Sequence, residues 1–296
     1  MRLIIAWVSF VSFIPASYSC DVCGSSSAAF TPGLQAFGNR PAIGIQQHVR
    51  YYESTHLGIF GTEATKSHER FFRTECRFQI PFKNRWQLQG QIPVSYQKQV
   101  LSDTSASVFS LADCQIGMHY FICDRQDSSA GTALRISIGG GIKLPTGLRD
   151  EVHNRFFLLH PGTGTWDPYM VTALIYQRNR WLFQFEANGM LRTTSKIDYK
   201  PGNSLQTGAI VSFRKYAIWP FAGVQYSWNG NDLYKKQLLG TAPSRGNIVG
   251  SILGFTWSLK NWVFSGNTQV PVFQNLSGGL TKQKLALSLT IQYFFK

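Results

Sequence analysis

The segment "KLALSLTIQYFF" near the end of the chain places Leu285, Leu287, Leu289, Ile291, Tyr293 and Phe295 on one face of an extended strand. Lys284, Ser288, Thr290 and Gln292 fall on the other. "FRTECRFQI" repeats the pattern, with Phe72, Thr74, Cys76, Phe78 and Ile80 opposite Arg73, Glu75, Arg77 and Gln79. "RWQLQGQIPVSYQ" sets Trp86, Leu88, Ile92, Val94 and Tyr96 against Gln87, Gln89, Gln91 and Ser95. Side chains alternate across a strand, so each segment has an oily side and a wet side. A chain written this way must bury one face of each strand in something apolar.

The same periodicity places strands near 42–53, 69–81, 85–97, 110–122, 132–145, 166–177, 181–193, 204–214, 217–228, 247–259, 261–273 and 283–295. The sixth and ninth have two apolar faces, which leaves their orientation open. Connections alternate between short ("FKNR", "QRNR", "FRKYA", "LKN", and the slightly longer "CDRQDSSAG") and long, such as "KQVLSDTSASVF", "TGLRDEVHNRFFLLHPGTGTW" and "NGNDLYKKQLLGTAPSRG". An even number of strands, about ten residues each, with short turns at one end and long loops at the other, predicts an all-β antiparallel transmembrane barrel of about 12 strands. The short turns face the periplasm and the long loops face outward.

A soluble barrel has the same alternation turned inside out, so composition must decide. Charged residues make up 15% and aromatics 14%, at a mean hydropathy of −0.11. The wet faces carry Gln, Ser, Thr, Asn and Gly with scattered Arg, whereas a solvent-facing barrel wall is rich in Lys and Glu. Three short turns are followed at once by tryptophan: Trp86, Trp181 and Trp262. Indole settles at a membrane interface, so these three are expected in the inner aromatic girdle, with Phe82 and Phe213 on returning strands.

Residues 1–19 read as a secretory signal peptide: Arg2, the apolar run "LIIAWVSFVSFI", Pro15, then Ser17 and Ser19 before the cut. Residues 20–41 form a periplasmic segment and 42–296 the barrel. Export of a barrel places the chain in the outer membrane of a Gram-negative bacterium. Cys20 and Cys23 make a C-x-x-C in an oxidising compartment. A disulfide is the default reading, with a soft-metal site or lipidation of Cys20 as alternatives. A metal needs more than these two ligands, and Cys123 is a candidate third. Cys76 and Cys114 read as inert small hydrophobes.

The net charge of +14 suits anionic partners, namely outer-membrane lipids, lipopolysaccharide and small polar or anionic solutes. No Lys/Arg cluster or binding fold points to nucleic acid. Arg50, Arg73, Glu75, Arg77, Arg135, Lys143 and Glu186 are expected on the enclosed face, either as a mostly positive lumen or as internal salt bridges filling it. Histidines 56, 68, 153 and 160 fall in two outer loops and read as solvated. No cofactor is called for. "IPV", "LPTG" and "VPV" are expected where strands stop pairing at the outer end.

"GGGIKLPTG" (139–147) followed by "PGTGTWDP" (161–168) resembles the outer-membrane transporter family named for the meta-cleavage pathway of phenol degradation. "CDVCG" (20–24) resembles a "CDxCGC" start of some Bacteroidetes barrels, except that Ser25 stands where a third Cys would. Lys296 follows the last aromatic, where such chains end on it. The resemblance implies a transport class. Passive passage of small polar or anionic solutes is therefore the expected function. A structural or adhesive barrel is the alternative. An outer-membrane lipid-modifying enzyme is a weaker one, because no His-x-Ser lies on a strand and His119 is followed by Tyr120 and Phe121.

Overall fold

A computed structural model of the chain describes residues 40–56, 64–101, 104–127, 129–148, 159–238 and 244–295. The signal peptide, Cys20, Cys23 and His153 lie outside them. Twelve antiparallel strands close into a barrel. They are β1 (Ala42–His56), β2 (Thr65–Phe82), β3 (Trp86–Leu101), β4 in two pieces (Ser105–Leu111 and Gln115–Asp127), β5 (Thr132–Lys143) and β6 (Asp167–Arg178), followed by β7 (Trp181–Met190), β8 (Ser204–Phe213), β9 (Ile218–Asn229), β10 (Gly246–Leu259), β11 (Trp262–Leu276) and β12 (Thr281–Phe294). Closure runs from Ala42↔Phe294 to Ser54↔Thr281 between β1 and β12. Closure removes the unpaired edges that an open sheet could not satisfy in a lipid core.

The oily side looks outward. Ile45, Leu289 and Ile92 are 58%, 62% and 48% exposed, while Gln46, Gln97 and Glu75 are essentially inaccessible. The two ambiguous strands are resolved: β6 turns Val171, Ala173 and Ile175 inward and exposes Met170, Leu174 and Tyr176. In β9, Phe221 and Gln225 are buried, while Ile218, Val224 and Trp228 are exposed. The enclosed face is mixed in character. Its β1–β3 wall carries Gln46, His48, Glu75, Gln91 and Gln97. Its β7–β10 wall sets Leu182, Ile210, Phe221 and Ile252 among Gln184, Glu186, Gln206 and Gln225.

At the short-turn end, β3, β7 and β11 each begin at their tryptophan. The turns put a non-glycine residue at positive φ: Lys83 at 49°, Asn179 at 55°, Lys260 at 53°. Such a residue reverses the chain with a twist that matches the strands. Trp86 lies 4.8 Å from Tyr120, Trp181 5.0 Å from Phe213 and Trp262 4.9 Å from Tyr293 between ring centroids.

The other end differs from expectation in three ways. β1 to β3 run further outward than the hydrophobic pattern marks, because the polar ladder of backbone pairs continues: His56↔Thr65 and Ser67↔Leu101 are still in register. His56 and His68 thus lie on strands, not in a loop. Within "KQVLSDTSASVF", residues 98–100 pair with 105–107 as strand rather than forming a long loop, with Val100 opposite Ser105. Of the three prolines, Pro145 follows the end of β5, but Pro93 and Pro271 lie within β3 and β11. Proline donates nothing to a ladder, so pairing is disturbed beside it. β4 breaks at 112–114 beside Pro93, whereas β11 itself bulges at Pro271: Gly250 pairs with Pro271 and Val249 with Phe273, so Val272 is skipped.

Candidate functional site

The enclosed face carries polar groups at three levels. Toward the outer end of the β8–β12 and β1 wall is a narrow cleft lined by Arg50, Tyr52, Gln206, Gln225, Gln269 and Gln283. β1, β8, β9, β10, β11 and β12 all contribute to it, which only closure of the barrel allows. Tyr52 Oη donates to Gln283 Oε1 at 3.0 Å. Gln206 Oε1 and Gln283 Nε2 are buried without a protein partner. One is an acceptor and the other a donor, so the cleft offers both kinds of hydrogen bond to water or to a solute.

A charged belt crosses β1, β2 and β3. Arg73 Nε lies 2.7 Å from Glu75 Oε1, and Arg77 Nη1 donates to Gln46 Oε1 at 2.5 Å. Gln46 Nε2 donates onward to Ser288 Oγ at 3.0 Å. Alternation puts Arg73, Glu75 and Arg77 on one face of β2, and register sets His48 opposite Arg73 and Gln91 opposite Arg77. Glu186 and His119 approach from other strands, within electrostatic reach of Arg77. His48 Nε2, Arg73 Nη2, Glu75 Oε2, Gln91 Nε2 and Asn188 Oδ1 have no protein partner. Leaving such a buried group unmatched costs about 1–3 kcal/mol, which water or a polar solute at the belt would offset.

The third level is the outer rim. Lys143 Nζ lies 2.6 Å from Asp113 Oδ2 and 2.8 Å from Asp167 Oδ2, and Arg192 Nη1 lies 2.9 Å from Asp167 Oδ2. Thr163 donates to Asp113 through both its amide at 2.9 Å and its hydroxyl at 2.7 Å, and Thr165 Oγ1 donates to Asp167 at 2.9 Å. The amides of Gly147 and Thr193 complete the two carboxylates, each at 2.9 Å. Burial alone would raise the Asp113 carboxyl, but Lys143 and the Thr163 hydrogen bonds hold it below the ordinary carboxylate value. Gly147 and Gly162 cross so closely that a Cβ on Gly162 would come within 2.4 Å of the Gly147 carbonyl. The two quoted motifs are therefore the two halves of one knot.

All seven of the expected charged residues belong to the enclosed face, but they are spread over its height rather than gathered in a ring. Arg50 is in the cleft and Arg73, Glu75, Arg77 and Glu186 are at the belt. Lys143 is consumed by the rim. Arg135 sits near the short turns, 3.0 Å from Asp124 Oδ1 and over the Phe121 ring at 5.5 Å. Sequence reasoning missed Asp113, Arg192 and the role of Thr163, Thr165 and Asp167. The latter three stood inside a quoted motif, whereas nothing local marks Asp113 or Arg192. Among the described residues no three His, Cys, Asp or Glu side chains form a metal-holding group. His56 instead hydrogen-bonds Ser67 Oγ at 2.7 Å, and His68 is exposed.

No family model matches the sequence, and no curated protein does either. Solved structures do. An outer-membrane channel from Pseudomonas putida F1 superposes with a TM-score of 0.68 at 10% identity, covering 90% of this chain and 100% of that one. The transport unit of the autotransporter AIDA-I from Escherichia coli gives 0.51 at 12% identity, covering 93% and 96%. At such identities the likeness is one of fold: this is an outer-membrane type of barrel.

Proposed function

We propose that the chain is an outer-membrane channel through which small polar or anionic solutes pass by diffusion. The observation that supports this reading most is the run of unmatched buried donors and acceptors from the outer cleft (Gln206, Gln283) to the belt (His48, Arg73, Glu75, Gln91). A wet path from the cleft to the belt is what such groups are suited to. Arg50, Arg73 and Arg77 outnumber Glu69 and Glu75 on the β1–β3 wall, so passage favours anions. Trp86, Trp181 and Trp262 then form the inner girdle, and lipid bathes the exposed band. The fold of the Pseudomonas channel is in keeping with this role, and so is the transporter family that the rim motifs resemble.

Planar-bilayer recording on the purified full chain tests the proposal. Discrete conductance steps with a reversal potential favouring chloride over potassium are expected. Arg50→Gln with Arg77→Gln should move that potential toward zero without abolishing the steps. No steps, or cation preference, would reject it. The dense filling of the belt favours one second reading, a closed barrel that acts through its outer loops, and that reading predicts no steps at all.

A further inference from the structure

The outer wall of β12, β1, β2 and β3 carries a basic patch just beyond its apolar band. On β3 the lipid-facing positions run from Trp86 to Tyr96, ten residues on, which is the span a tilted strand needs to cross a bilayer. On β2 the matching limits are Phe82 and Phe72. Phe72 and Tyr96 face each other with ring centroids 5.9 Å apart, and together they mark the outer edge of the band. Two residues further out on the same face, about 7 Å along the strand, come Arg70 and Lys98. Register sets them directly opposite one another. Lys66, Lys282 and Lys284 extend the patch to β2 and β12, all three exposed. Among the described residues of these four strands, Glu53 is the one carboxylate on this face, and Lys284 occupies it at 2.8 Å.

Like charges placed directly opposite in an antiparallel pair destabilise the sheet. A wall that sets Arg70 against Lys98, with Lys66 and Lys282 close by and a single acid among them, is matched to an anion from outside the protein. Its depth selects the anion. The cations begin where the aromatic edge ends, on the outer side of the barrel and at headgroup level, while the residues below them are apolar. The partner therefore carries phosphates at the top of acyl chains.

The geometry points to a binding site for a phosphorylated glycolipid of the outer leaflet, of the lipopolysaccharide type. Its phosphates lie between Arg70, Lys98, Lys66 and Lys282, and its acyl chains lie along Phe72, Tyr96 and Val94. Neither the channel reading nor its failure bears on this site, since only the barrel and its orientation are required.

The test uses the purified full chain in neutral detergent, freed of lipopolysaccharide. Deep-rough lipopolysaccharide, phosphatidylglycerol and inorganic phosphate are added in separate arms, and folding is followed by heat-modifiable migration on gels. Lipopolysaccharide should raise the melting temperature where the other two do not. Arg70→Gln with Lys98→Gln should weaken its binding about tenfold, since each surface cation beside an anionic lipid contributes several-fold. The same double variant relieves the opposed charges, so in lipid-free detergent it should melt no lower than the parent. This reversal of sign is what a merely structural pair would not give. Arg178→Gln, at the short-turn end, should leave binding unchanged. An equal response to phosphatidylglycerol or phosphate, or unchanged lipopolysaccharide binding in the double variant, overturns the proposal.

Discussion

The two ends of this barrel are built by different physics. At the short-turn end each aromatic contact joins only two adjacent strands. A tight turn with Lys83, Asn179 or Lys260 at positive φ reverses the chain, and the tryptophan two or three residues on stacks against an aromatic of the neighbouring strand. At the outer rim the decisive contacts gather Asp113, Lys143, Thr163, Asp167 and Arg192 from four separate segments into one cluster. The first end is assembled from independent modules, each worth little. The second is a single buried network in which each member leaves another unmatched if removed.

That contrast can be broken most directly at the glycine crossing. Gly162→Ala forces a Cβ into the Gly147 backbone, so the rim segment should detach and become the first site of limited proteolysis, while the short turns stay protected. Lys143→Met comes next. It leaves Asp113 and Asp167 buried, with Arg192 still paired to Asp167, and should cost about 3–5 kcal/mol in urea unfolding. Adding Asp113→Asn should recover part of that loss, as expected of coupled partners.

Acid separates the two ends more gently. The folded pKa of Asp113 lies below its unfolded value, so its contribution is present above the unfolded value of about 3.9 and is lost as pH falls through the folded one. Proteolysis of the rim should therefore be flat at pH 5 and rise only below about pH 4. Lys143→Met should shift that rise to higher pH. The smallest effect belongs to the modular end: Trp181→Ala removes the Phe213 contact and should cost about 0.5–1.5 kcal/mol beyond its buried area, with Trp86 and Trp262 unaffected. A Trp181 variant that loosened all the turns would show that the end is not modular.

The same distinction explains what could be read in advance. The alternation of Phe72 to Ile80 and of Leu285 to Tyr293 is a property of neighbours in sequence, so strand identity and the outward-facing side followed from it. The inward placement of Gln87, Gln91 and Gln97 is its mirror. Pro93 was misplaced because its effect lands on the partner strand, whose break at 112–114 has no mark of its own, and Pro271 because its own strand absorbs it with a bulge at Val272. The outer extension of β1 to β3 was missed because it carries no apolar stripe.

The sequence by itself determined a barrel: period-two strands of membrane length, short turns capped by tryptophan, and a wet face that must be enclosed because lipid offers its backbone and amides no partners. Only the tertiary structure decided which wet groups meet. The cleft of Gln206, Gln225, Gln269 and Gln283, the belt where His119 and Glu186 come within reach of Arg77, and the Asp113–Lys143–Asp167–Arg192 rim exist because closing the sheet sets distant strands face to face. The register of that closure is a sum of many small pairings that no single segment records.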